Sequence, residues 1–138
     1  MSMVHDNIIK SYVVDFEAET IAIKTVFYNH TNKIIENTDI IFMGYLTHLF
    51  SNETKNSIIF DILEYPLNSF LERESEVLRK NKSYGWPIRY RNESELVEFI
   101  QSHEYKIFDV ASSYGLCGWI IAKKMGVLVD EQPFTVSE

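Results

Sequence analysis

Residues 106–125, KIFDVASSYGLCGWIIAKKM, constrain the fold more than any other stretch of this chain. Two apolar runs flank a centre of small residues, Ala111-Ser112-Ser113-Tyr114-Gly115. Two buried strands joined by a tight turn have this pattern, and so does a strand that enters a helix through a glycine-rich elbow. Scarce residues also gather here: Gly115 and Gly118 among five glycines, the single cysteine Cys117, and Trp119, one of two tryptophans. The first version is structural, and the second hints at a site.

Upstream, apolar residues recur with the period of two that a half-buried strand requires. In residues 8–16 the face made by Ile8, Lys10, Tyr12, Val14 and Phe16 is the more apolar and is expected to point inward. Glu17-Ala18-Glu19 reads as a short turn, and residues 20–28 as the returning strand of an antiparallel hairpin. Residues 30–37 are polar and read as a loop, residues 38–45 as a third strand with Gly44 marking a bulge or close approach. Residues 46–50 suit a strand or one helical turn, and residues 57–64 read as a fourth strand. After Pro66 the period changes. Ser69 and Glu72 have capping-box spacing, and Leu67, Phe70, Leu71 and Leu78 share a helical face over about 67–80. Asn92 and Glu95 mark a second helix over about 93–103. A strand over 105–111 follows, and residues 118–129 read mainly as strand. The polar residues 130–138 are expected to fray. The expectation is a single α+β domain spanning 1–138: a mostly antiparallel sheet of about six strands, with two helices packed on one face.

With 138 residues, 46% of them hydrophobic, the chain has material for one sizeable core. Its net charge is −7, with acids and bases scattered along the length. Nucleic-acid binding draws on clustered Lys and Arg to neutralise phosphates, so this balance argues against it. It argues equally against an anionic membrane surface. The balance favours a basic protein partner. One cysteine excludes an internal disulfide, and no apolar run approaches the roughly 20 residues of a membrane span. The first residues lack the basic and long apolar regions of a signal peptide, which makes the cytoplasm the expected location.

Cys117, between two glycines, is the obvious nucleophile, with Ser113, Tyr114 and Gly115 as the rest of a ligand-binding turn. A reactive thiol needs a base, and neither His48 nor His103 is paired with it by spacing; burial is the commoner fate of a free cysteine. Ser112 and Ser113 lie outside any Gly-X-Ser-X-Gly elbow. His5, His30, His48 and His103 show no metal-ligand spacing, so neither metal nor other cofactor is expected. Asp61 and Glu64 close an apolar strand and suit acid–base chemistry or, with Glu53, an acidic patch; the patch is favoured. Tyr84, Trp86, Arg89 and Tyr90, with Arg91, join the residue types that anchor protein interfaces, although Trp86 and Ile88 equally suit the gap between helix and sheet.

Three segments carry a family resemblance: Ile58-Ile59-Phe60-Asp61-Ile62 with Glu64-Tyr65, then Tyr84-Gly85-Trp86-Pro87-Ile88, then Ser112-Ser113-Tyr114-Gly115-Leu116 through Gly118-Trp119. Over about residues 58–123 the chain resembles small cytosolic proteins of Gram-positive bacteria, some encoded beside secreted polymorphic toxins and regarded as immunity proteins. The resemblance implies neutralisation of a toxin by direct binding, and it brings no catalytic signature. Asp61, Glu64, Tyr84, Trp86, Arg89 and Tyr90 are the expected contact residues. The alternative is a small enzyme or ligand-binding domain using the Ser112–Gly118 turn with Cys117.

Overall fold

The computed structural model describes residues 6–133; His5 and residues 134–138 lie outside the described residues. Eight strands form one antiparallel sheet: β1 (Ile8–Asp15), β2 (Thr20–Asn29), β3 (Ile34–Met43), β4 (Thr47–Ser51), β5 (Ile58–Tyr65), β6 (Lys106–Tyr114), β7 (Cys117–Ala122) and β8 (Lys124–Pro133). Three short helices, α1 (Leu67–Arg73), α2 (Ser75–Asn81) and α3 (Glu93–Ser102), lie between β5 and β6. The expectation of about six strands and two helices is therefore corrected to eight and three, within an architecture that is still α+β.

Each correction has a local cause. Residues 46–50 become a strand because β4 pairs with β7 from Thr47↔Ile121 to Ser51↔Cys117. The stretch 118–129 is two strands, since the chain bends at Lys123 and pairs first with β6, then with β3. Residues 34–37, expected in a loop, are the start of β3, and residues 130–133, expected to fray, the end of β8, because Ile34 through Asn37 pair with Pro133 through Asp130. The single helix over 67–80 breaks at Glu74, whose φ of −102° leaves the helical range. Glu74 is held there by Trp119 Nε1, which donates to its carboxylate at 3.1 Å. Ser69 and Glu72 form no cap; α1 starts after Pro66 with no side-chain bond. At α3, by contrast, Asn92 Oδ1 accepts from the Glu95 amide at 3.0 Å.

The strand order is β4-β7-β6-β5-β1-β2-β3-β8. β3 continues into β4 within three residues, and β7 into β8 across Lys123 alone. The two bent strands stay bonded through the bend: Leu46 N donates to Ile121 O at 2.8 Å and Lys123 N to Met43 O at 2.9 Å. The ends of the sheet are thus covalently joined to its interior, so it curls until its halves face one another. Ile21 and Ile23 of β2 and Ile40 and Phe42 of β3 pack there with Val110 of β6 and Ile120 of β7. Phe42 and Phe108 meet across this core with ring centroids 5.3 Å apart. A second core lies outside, where Phe70, Leu71, Leu78, Leu96 and Ile100 of the helices cover Ile107, Trp119 and Ile121. β6 and β7 are therefore apolar on both faces, which is why residues 106–125 read as near-continuous apolar runs.

Candidate functional site

The curl leaves a gap beside β1. Among the described residues β1 meets β5 only near its start, at Ile8↔Ile58 and through backbone bonds between residues 6–9 and 57–59, while its other edge pairs with β2 along its length. A register shift between Ile9 and Ser11 turns Ile9 into the core and leaves Lys10 exposed, while Tyr12 and Val14 of the expected inward face do pack against the core. Tyr12 then points across the gap to β4. Its ring stands edge-on to Phe50 at 5.1 Å and to His48 at 5.8 Å. The Tyr45 hydroxyl and His48 Nδ1 share a hydrogen bond of 2.7 Å, and Phe16 lies 6.3 Å from the Tyr45 ring. An aromatic row thus runs Phe16, Tyr45, His48, Tyr12, Phe50, its far end marked by Glu53, which accepts from the Tyr12 hydroxyl.

Burial and hydrogen bonding keep the row uncharged apart from Glu53. The hydrogen bond to Glu53, then burial, pushes the Tyr12 phenol from 10.0 up to about 12. Burial raises the Tyr45 phenol and lowers the His48 imidazole, with Glu53 opposing the latter shift. Tyr12 accordingly keeps its proton throughout the neutral range and is no general base there. A phenol whose folded pKa lies above its unfolded value adds stability that is complete below about pH 10 and is lost as the pH rises towards 12. Unfolding titrations of Tyr12→Phe and the parent chain are expected to converge over that window, the parent being the more stable below it. Parallel curves would show that the Tyr12–Glu53 bond does not govern the alkaline limb. Between β1, β2 and the loop before β5 the same side of the molecule holds a cleft of about 670 Å³, lined by Tyr12, Val26, Tyr28, Glu53, Lys55 and Ser57 among others.

At the other end of the row stands the β1–β2 turn, Asp15-Phe16-Glu17-Ala18-Glu19. Asp15 Oδ1 accepts from the Ala18 amide at 2.9 Å, and the Glu19 carbonyl from the Tyr45 amide at 2.8 Å. Glu19 takes a left-handed φ of 54° to close the turn. Phe16 is 79% exposed on this pinned tip, with three carboxylates within three residues of it. Water contact over that much aromatic surface is unfavourable by about 2 kcal/mol relative to full burial.

The residues singled out in the sequence fall elsewhere and do not converge. Asp61 and Glu64 are three apart in a strand without a bulge between them, so they occupy opposite faces. Asp61 turns to the helix side and caps its own next amide, Ile62 N, at 2.8 Å. Glu64 faces the other way and pairs with Lys106 at 3.7 Å. Glu53 belongs to the aromatic row, so the three acids form no common patch. Trp86 fills the space between helix and sheet, 5.8 Å from Trp119, with Nε1 donating to Thr47 Oγ1 at 3.0 Å. Tyr90 packs on the same core, whereas Arg89 and Tyr84 are exposed, Tyr84 to 83%.

The 106–125 stretch takes the two-strand version. Ser113 and Tyr114 are exposed at the turn between β6 and β7. Gly115 is needed there: its φ is +82°, and the space a Cβ would take is filled by Ser57, whose Cβ would lie 2.9 Å away. Ser57 Oγ donates to Thr54 O at 2.6 Å and accepts from Leu116 N at 2.9 Å, which ties the turn to the loop before β5. Cys117 borders a depression of about 420 Å³ with Arg73, Asp109 and Trp119, and its thiol neighbours are Ser51 Oγ at 3.7 Å and Asn52 Nδ2 at 4.0 Å, neither of them a base.

Sequence reasoning missed Phe16, Tyr12 and Tyr45 as site residues. One available signal was an aromatic residue inside an acidic turn, where a core residue has no reason to be. Among the described residues no three His, Cys, Asp or Glu side chains are grouped to hold a metal ion, and no helix is long and apolar enough to cross a membrane. Comparison with protein-family models, curated proteins and solved structures finds no match.

Proposed function

We infer that this protein is an acidic binding module that acts in the cytoplasm, and that it engages a basic protein through the β1–β2 tip. The single observation behind this reading is Phe16, held out on a pinned turn among Asp15, Glu17 and Glu19. An exposed aromatic anchor ringed by charge of one sign is how interfaces combine a desolvated hot spot with electrostatic steering. The net charge of −7 adds long-range attraction for a basic partner. Direct occlusion of a secreted toxin, as in the immunity proteins the chain resembles, fits this division of labour.

The test is a comparative pull-down from lysate and secreted fraction, with the parent chain, Phe16→Ala and Glu17→Lys/Glu19→Lys as baits at low and high salt. A basic protein should be retained by the parent at low salt. Its recovery should fall by about thirtyfold with Phe16→Ala, as for a hot spot worth about 2 kcal/mol. It should also be lost with the charge reversal. Identical profiles for all three baits would remove the tip from the binding surface. The alternative, a ligand-binding or enzymatic role at the Ser112–Gly118 turn, would act from the depression beside Cys117. Fast alkylation of that thiol, suppressed by the ligand, would favour it over the protein-binding reading.

A further inference from the structure

β8 ends the sheet order, with β3 as its one strand neighbour among the described residues. Eight of its ten residues are exposed. Its centre, residues 125–129 (MGVLV), carries no charge, and Met125, Leu128 and Val129 are 39%, 63% and 43% exposed. A free edge of this length and apolarity is a template for another strand. The usual protections, a lysine and a proline, stand only at its two ends, Lys124 and Pro133.

A second copy of the same strand fits that edge under a strict geometric rule. In an antiparallel ladder, directly opposed residues either both exchange hydrogen bonds or both do not. Along one edge these alternate, so two identical strands related by a two-fold axis meet only in registers centred on a residue. Centring on Leu128 sets Met125 against Glu131 and Gly126 against Asp130; centring on Gly126 sets Lys124 against Leu128; centring on Val129 sets Val127 against Glu131 and Leu128 against Asp130. Centring on Val127 sets Lys124 against Asp130, Met125 against Val129 and Gly126 against Leu128, each twice, with Val127 against itself. This register matches opposite charges at both ends and apolar side chains between them, and it seats each Leu128 over a glycine. Lys124 makes no ion pair in its own chain among the described residues, and Asp130 takes only a 3.5 Å bond from Gln132.

We propose that the protein forms a two-fold dimer by antiparallel pairing of β8 with β8 of a second copy, centred on Val127. The partner is this chain itself, selected by the Lys124–Asp130 match, and the β1–β2 tip takes no part. Sedimentation velocity of the full chain at about 10–200 μM tests it. The parent should show a reversible dimer. Lys124→Asp and Asp130→Lys each replace two attractive pairs with two repulsive ones and should weaken the dimer about tenfold. The double variant K124D/D130K should restore it. Far-ultraviolet circular dichroism confirms that all four chains are folded. A parent chain that stays monomeric across the range overturns the proposal, as do equal dissociation constants for all four or a double variant no better than the singles.

Discussion

Replacing Trp119 with alanine is expected to lower stability by about 3–5 kcal/mol, the largest effect of any single side-chain deletion in this protein. Trp119 is 2% exposed and sits where the helical layer meets the sheet. Phe70 of α1 stands edge-on to it at 4.8 Å, and Trp86 lies 5.8 Å away on its other side. Its indole N–H is also the donor that holds the Glu74 carboxylate at the break between α1 and α2. Alanine would therefore leave a cavity between two aromatic rings and a half-buried carboxylate with one partner fewer, Arg73 remaining at 3.1 Å. Urea titration followed by circular dichroism measures the loss. Trp119→Phe separates the two contributions: it keeps most of the packing and removes the hydrogen bond, at a cost of about 1–2 kcal/mol. If alanine and phenylalanine cost the same, the hydrogen bond rather than the packing holds the layers together.

Gly118→Ala is expected to cost about 3 kcal/mol or more although it adds a single methyl group. Gly118 opposes Phe50, where β4 closes onto β7. Its φ is +153°, and an added Cβ would lie 2.0 Å from the Leu49 carbonyl oxygen and 2.9 Å from both Leu49 C and Phe50 Cα. These are backbone atoms of a paired strand and have no rotamer to yield. Relief requires β4 to leave the sheet, which would uncover the Trp119 side of the core and disperse His48 and Phe50 from the aromatic row. Gly126→Ala is the matched control: its nearest neighbour would be the terminal Met43 Cε at 3.3 Å, so it should change stability by no more than about 0.5 kcal/mol in dilute solution. A Gly118→Ala chain as stable as this control would mean that β4 is not tightly held.

Local chemistry carried much of the architecture. The β1–β2 hairpin follows from period-two apolar residues on either side of a short acidic turn, and the start of α3 from Asn92 and Glu95, because both signals act within a few residues. Trp86 and Ile88 suited the gap between helix and sheet and pack there, joined by Tyr90, since three large rings or branched chains in five residues have few other places to go. The site was far less legible. Phe16 looked like the last inward residue of an alternating strand, but β1 ends at Asp15 and the chain turns there, so Tyr12 and Val14 pack on the core while Phe16 finished on the tip. Asp61 and Glu64 looked like a pair only until strand pleating put them on opposite faces.

The sequence by itself determined that this chain makes antiparallel strands, short helices and no internal disulfide, and that it carries a net charge of −7. Those properties depend on residue type and on neighbours close along the chain. Only the tertiary structure decided that residues 117–133 make two strands far apart in the sheet order, that the first helix breaks at Glu74, and that Tyr12, His48 and Glu53 meet. Each of these depends on a bend, a bulge or a bond between residues about 40 or more positions apart, or on partners that the chain brings together only by curling its sheet. A periodic pattern has no memory of such distances, so the fold class is written locally while the aromatic row is assembled by closure.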